Sequence, residues 1–419
     1  MAEPKVAGTK KKMRFSLPLW QRNVRYGEVD LAFFLIVIAL LVMGIVMMFS
    51  ASYAWAIAEG MDGSYYAVQQ MKTAAIGLVI MYVLSVVDYH VLKSALVATL
   101  SYLIPLILLV MVLLVGSSAG GATRWLQIGP INFQPSELMK IGIVIFFSFL
   151  IEKNYDRMQQ FRYGIMPYMI ALALVAGLMM MQPHLSGTLL ISLISITLIF
   201  VGGARLMHFA IMGIAGAVGI ISVVLYLSIV NGYGYFQTRI QSWLDPFADS
   251  LGGTWQTCQS LIAIGSGGFF GLGLGESRQK YLYLPETKND FVFSIVCEEL
   301  GFVGALTVVL LFAFLIIRGF HIATHAQDKF GMLLTVGFVM HIGLQAFINI
   351  AVVSNLVPNT GISLPFFSYG GTALMLQLAE MGIVLNVSRV RYRVEDNAPP
   401  ESEAIETEAE SDEEQPQAI

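Results

Sequence analysis

Charge is what this chain has least of. Only 12% of its 419 residues are Asp, Glu, Lys or Arg, while 56% are hydrophobic. An ordinary soluble domain carries roughly 25% charge. With a mean hydropathy of +0.71, the shortage excludes a water-soluble globular protein and leaves an integral membrane protein. Cysteine is equally scarce: Cys258 lies in a long loop and Cys297 in an apolar run, so no disulfide is expected. The two cysteines with His184 and His341 do not form a metal-ligand pattern. No internal repeat is visible, which counts against an inverted-repeat transporter. Nor is a cleavable leader expected. The first long apolar run starts near Val29 and is long enough to span, so it is expected to stay as a helix. No nucleic-acid partner is expected.

The net charge of −4 conceals ends of opposite sign. Residues 1–28 are basic. From Glu395 onward the chain is acidic, with no Lys or Arg. Such a tail buries too little apolar surface to order itself, so residues 392–419 are expected to be disordered and 29–391 to form the membrane domain. A helix needs about 20 apolar residues to span a bilayer. By that rule the runs near 29–53, 67–87, 93–115, 136–151, 164–182, 186–202, 206–230, 291–317, 331–354 and 367–388 give an all-α, ten-span protein. With both termini placed inside, the inner segments hold 17 of the 24 Lys and Arg residues, so both termini are expected to be cytoplasmic.

The seven remaining cations break that pattern, and six of them lie in or beside two outer segments, about 116–136 and 231–290. The second is far longer than a connection requires. Its interior, TWQTCQSLIAIGSGGFFGLGLG, is amphipathic and then Gly-rich, and is expected at the outer interface or re-entering the bundle. The glycines could offer backbone N–H groups to a phosphate, or serve a tight turn or close helix packing. Directly after this run, Glu286, Lys288 and Asp290 precede an apolar stretch that itself contains Glu298 and Glu299. Charge at a membrane boundary is ordinary; charge within the hydrocarbon needs a reason. Eight residues on a helix place Glu298 about 12 Å deeper than Asp290, too far for a paired-carboxylate mechanism. The two glutamates are therefore read as structural, paired or protonated. Glu137 and Lys140 share a helix face, as support for a packed interior or as the lining of a cavity.

Long ordered motifs carry a resemblance. RWLQIGPINFQPSELMK (124–140), RIQSWLDPFAD (239–249), residues 255–304 and PNTGISLPFFSYGGTALMLQLAEMGIVLNVSR (358–389) together resemble the SEDS family of peptidoglycan glycosyltransferases. The likeness runs from about residue 29 to 391 and is strongest to its division branch, FtsW, over RodA and SpoVE. It implies a membrane enzyme that polymerises lipid II into glycan at the outer face, beside a class B penicillin-binding protein and other division proteins. The family's proposed catalytic Asp falls on Asp290, where a single carboxylate as general base suits direct displacement with inversion. The alternative is a charge placed to suit the helix dipole. Two departures stand out. The family's acid in QPDxGT is His184 here, and its HTD is Lys288-Asn289-Asp290.

A leaving pyrophosphate needs cations. Candidates are Arg239, Lys280, Arg278, Lys288 and Arg124, with lipid headgroup attraction as the alternative role. A divalent cation, Mg or Mn, at the pyrophosphate is possible without a dedicated protein cage. Gln256, Gln259, Ser260 and Ser277 match family positions and could bind sugar hydroxyls or satisfy loop backbone. Two other functions stay open: a lipid II flippase, which requires a polar path across the whole bilayer, and a non-catalytic division scaffold.

Overall fold

The computed structural model describes residues 24–119, 122–128, 131–182, 184–210, 240–249, 252–389 and 391–393, with isolated positions between 213 and 222. The basic N-terminus before Val24, the acidic tail, Arg239 and most of the expected span 206–230 lie outside the described residues. The described chain is a helical bundle built of α1 Leu31–Ala58, α2 Tyr65–Val86, α3 Ala95–Val115, α4 Pro135–Lys153, α5 Phe161–Gly164, α6 Met166–Met181, α7 Leu185–Val201, α8 Trp255–Ser266, α9 Val292–Thr324, α10 Lys329–Val353 and α11 Gly371–Ser388. Helices coincide with every expected apolar run whose residues are described, and of the run 206–230 the described residues 206–210 are helical. Among the described residues seven are long and apolar enough to cross a membrane. α4, charged at both ends, and the 17-residue α7 pack among them.

α10 and α11 form the centre. Their apolar windows are 78% and 72% buried, against 28–39% for the other candidate spans, whose outer faces stay apolar and exposed. Exposed apolar surface of that extent suits lipid rather than water. α11 begins at Gly371, four residues later than the apolar run. Ser368 Oγ accepts from the Leu364 amide at 2.7 Å and the Tyr369 amide donates to the Lys288 carbonyl at 2.8 Å, so this stretch is a tied loop instead of a helical turn.

Between α3 and α4 the chain forms an unanticipated antiparallel sheet of β2 Ser117–Ala119, β3 Ala122–Ile128 and β4 Ile131–Phe133, with β3 central. Backbone that leaves one helix and enters the next must satisfy its own N–H and C=O groups, and the ladder does so locally. Short strands β1 Val24–Tyr26 and β5 Arg391–Arg393 pair antiparallel where the chain enters and leaves the bundle.

Charged side chains lock that same end. Asp30 caps α1 and pairs with Arg318 at 2.8 Å. Asp328 caps α10 and accepts from Tyr89 and Lys93, while Lys93 also pairs with Glu152 at 2.7 Å. The bundle's opposite end carries the turns around Asp290.

Candidate active site at the start of α9

Asp290 lies two residues before α9 and is partly exposed. The chain reaches it through tight turns, with Leu282 and Glu286 both at positive φ (67° and 56°). Such backbone is uncommon for non-glycine residues and persists only where contacts hold it. Those contacts come from three sides. Thr287 Oγ1 donates to the Ala51 carbonyl at 2.9 Å, tying the turn to α1. Lys288 Nζ donates to Glu59 Oε1 at 2.9 Å and to the Tyr66 hydroxyl at 2.8 Å, and lies over the Tyr66 and Trp55 rings. Asn349 Nδ2, on α10, donates to the main-chain oxygens of Asp290 at 2.7 Å and Ile362 at 2.6 Å. The Asp290 carboxylate leans on Gly361, where a Cβ would stand 3.2 Å from Oδ2.

The Lys288 clamp is electrostatic as well as apolar. Hydrogen bonds from Lys288 and Tyr66 hold the Glu59 carboxyl below its usual range. Burial alone would lower the Lys288 value, but Glu59 and Tyr66 outweigh it and raise it. Both shifts favour the charged pair, so Lys288 is committed to this clamp.

Glu298 and Glu299 answer to the loop that precedes the site. Glu298 accepts from Ser277 Oγ and from the Arg278 amide at 2.9 Å. Glu299 pairs with Lys280 at 3.0 Å, and Ser50 Oγ of α1 donates to it at 2.6 Å. Lys280 spends its remaining donors on Ser50 Oγ and the Gly275 carbonyl and is 3% exposed. Both acids and this lysine thus join α1, α9 and residues 275–280 inside the bundle.

The glycine run belongs to the same construction. α9 breaks at Gly301 (φ 64°, ψ −163°). The carbonyls of Glu298 and Glu299 accept from the Leu272 and Gly273 amides, each at 3.0 Å. In return the Phe302 and Val303 amides donate to the Gly268 and Phe269 carbonyls at 3.0 and 3.2 Å. A segment of irregular backbone therefore replaces one missing helical turn and satisfies its polar groups. A Cβ on Gly267, Gly271 or Gly301 would overlap the facing backbone. The Leu272 and Gly273 amides are spent within the protein instead of facing a phosphate.

α8 is latched over this end. Ser260 Oγ bonds to Ser294 Oγ and to the Val353 carbonyl, each at 2.8 Å, and Gln256 Oε1 accepts from Asn359 Nδ2 at 3.0 Å. Gln259 is buried on the same helix. Arg278 keeps an exposed side chain and, with Glu276, Tyr281 and Tyr283, lines a cavity of about 530 Å³. Arg124 lies on β3, apart in sequence and in element from the Asp290 turn. Below the site, Lys140 pairs with Glu137 at 2.8 Å and donates to Gln345 at 3.0 Å, and His341 bridges Gln345 and Glu380. Among the described residues no group of three or more His, Cys, Asp or Glu could hold a metal ion.

Glu59, Tyr66, Ser50 and Asn349 were not singled out from sequence. Asn349 had a signal there: with His341 and Gln345 it forms a polar row at four-residue spacing in an otherwise apolar helix.

Residues 30–393 match the FtsW/RodA/SpoVE family, described as cell cycle proteins. The chain belongs to that family. A probable peptidoglycan glycosyltransferase FtsW of Trichlorobacter lovleyi is 38% identical over 374 residues, which cover 89% of this chain and 96% of the relative. Stage V sporulation protein E of Bacillus subtilis is 40% identical over 363 residues, covering 86% and 97%. Among solved structures, a chain described under the structural coordination of polymerization and crosslinking by a peptidoglycan synthase complex superposes with a TM-score of 0.71 at 28% identity, covering 86% of this chain and 97% of that one. The rod shape determining protein RodA of Thermus thermophilus gives 0.62 at 27%, covering 86% and 96%. The family assignment and the multi-pass helical fold thus agree with the expectations from sequence.

Proposed function

We propose that this chain is a peptidoglycan glycosyltransferase that polymerises lipid II at the outer face of the cytoplasmic membrane, with Asp290 as the general base. The relatives' names support the reaction class. The observation that carries the site is the placement of Asp290. It is a partly exposed carboxylate at the mouth of a membrane helix, on a turn held from three sides.

The reaction joins the 4-hydroxyl of an acceptor sugar to C1 of a donor. The new O–C1 bond forms as the C1–O bond to undecaprenyl pyrophosphate breaks. The hydroxyl proton passes to the Asp290 carboxylate, and attack from the face opposite the leaving group inverts C1. Glu298 and Glu299 are occupied in holding the 275–280 segment, so neither serves as a second catalytic carboxylate beside Asp290. Exposed Arg278, with Arg124 and Arg239, supplies the candidate cations for the leaving group; Lys280 and Lys288 serve the scaffold.

A class B penicillin-binding protein as partner and action at the division septum fit this reading, since the first-named structural neighbour comes from a complex that polymerises and crosslinks. The 40% identity to a sporulation protein supports a second setting for the same chemistry, a spore wall instead of a septum.

The deciding experiment reconstitutes the full chain, with and without its class B penicillin-binding protein, and supplies purified lipid II. Wild type is expected to make glycan and Asp290→Asn to lose at least about 100-fold in rate, a usual size for removing a general base. Equal activity of the two would refute the base assignment. Inactivity of both, with the partner present, would favour the flippase or scaffold.

A further inference from the structure

Asn349 has no place in the reaction as written, yet it is fully buried and makes two of the shortest amide hydrogen bonds around the site. Its two Nδ2 hydrogens go to two main-chain oxygens, one on Asp290 and one on Ile362. Oδ1 is buried with no hydrogen-bond partner among the described residues. The opposite amide orientation would press an oxygen against two carbonyl oxygens, so the two acceptors fix which way the side chain points.

The geometry closes a small ring. Asn349 joins the Asp290 carbonyl to the Ile362 carbonyl. Ile362 follows Gly361, and the Asp290 carboxylate rests against Gly361. One side chain therefore sets both the backbone of Asp290 and the wall behind its carboxylate. One helical turn below, Gln345 Nε2 donates to the Ser363 carbonyl at 3.1 Å. Residues 362 and 363 thus hang from two successive rungs of α10. Only the upper rung also reaches Asp290.

From this arrangement we infer that Asn349 is a positioning residue for Asp290: it holds the carboxylate at the spacing from the 361–362 wall that proton abstraction requires. The inference rests on Asp290 being the base. Removing Asn349 leaves the lower rung in place, so the loop remains attached while the carboxylate loses its register. A misplacement of about 1 Å can cost on the order of 100-fold in rate.

The test uses the full chain with its class B partner and purified lipid II, comparing wild type, Asp290→Asn, Asn349→Ala and Asn349→Ser for kcat, KM and melting temperature. Asn349→Ala is expected to lower kcat by about 30- to 100-fold, with KM within about threefold and a lower melting temperature, because two buried carbonyls lose their donor. Asn349→Ser keeps one donor and is expected to recover part of kcat, which loss of packing alone would not do. A kcat for Asn349→Ala within about threefold of wild type overturns the inference. So does a fall in kcat matched by the fall in folded protein with no recovery in Asn349→Ser. Should Asn349→Ala not be obtained folded, Asn349→Ser alone decides by the same split between kcat and KM. If Asp290→Asn polymerises like wild type, the base assignment itself has failed, an outcome that this reference reaction separates from failure of Asn349 alone.

Discussion

Lys288 illustrates how a cation beside the candidate site can serve the scaffold. Its ammonium is bound by Glu59 and Tyr66 and covered by two aromatic rings, and its carbonyl receives the Tyr369 amide. Lys288→Met keeps the aliphatic stem over the rings and removes only the charge. Because Glu59 is over a third exposed, the ion pair contributes about 1 kcal/mol at most. The expected outcome is a small loss in melting temperature and roughly a tenfold lower kcat, from a looser turn one step from Asp290. A large rise in KM for lipid II with kcat intact would instead mark Lys288 as a substrate ligand. In the sequence, Asp290 stood out because the acid of a familiar motif falls on it, directly before an apolar run. The partners that hold it did not, because Glu59, Tyr66 and Asn349 lie 231, 224 and 59 positions away. Those pairings exist only once the helices are packed.

At the scale of elements, the helices were legible because a bilayer demands apolar runs of set length, and most run ends agree with the structure to within a few residues. What apolar length could not reveal was the break in α9. The run 291–317 reads as one helix, yet Gly301 takes a conformation open essentially to glycine alone. The exchange of four hydrogen bonds with residues 268–273 explains why the glycine-rich segment precedes this helix in the chain. It also gives Glu298 and Glu299 their neighbours, since the inserted segment delivers Ser277 and Lys280 to them. Gly301→Ala adds a Cβ both to a left-handed backbone and against the Gly271 amide. Expected is loss of folded protein, seen as a collapsed monodisperse peak in size-exclusion chromatography of the solubilised chain. Gly265→Ala, where a Cβ meets open space, is the control and is expected to fold normally. A monodisperse Gly301→Ala protein would show that the helix can close across the break.

The whole molecule is fastened at both ends by charge, and the two ends respond to pH differently. At the end where β1 and β5 pair, His90 sits in the turn between α2 and α3, facing two carboxylates: Nδ1 lies 2.9 Å from Asp88 and Nε2 3.3 Å from Asp328. Burial by itself would lower its pKa, but hydrogen bonds and charge from Asp328 and Asp88 outweigh burial and raise it to about 9. With a carboxylate on each ring nitrogen, the imidazolium donates twice. Lys93 and Glu152 complete the cluster, and Asp328 is held well below the usual carboxylate range. A histidine raised on folding contributes its full stabilisation below its unfolded value near 6.5 and loses it as pH rises through about 9. The Glu59–Lys288 clamp behaves oppositely. Its depressed carboxylate contributes above the ordinary value of 4.5 and weakens in acid, while Lys288, raised above 10.5, stays charged across the neutral range. Between pH 6.5 and 9.5 the β1–β5 end should therefore loosen while the Asp290 end holds. The melting temperature of the purified chain in lipid nanodiscs is expected to fall across that window, by an amount worth about 1 kcal/mol once solvent screening at this half-open site is allowed for. His90→Gln should start lower at pH 6.5 and show a flatter slope, converging on wild type near pH 9.5. If the variant follows the wild-type slope instead, the doubly donating imidazolium is absent, and the cluster that joins α2, α4 and α10 rests on Lys93 and Tyr89 alone.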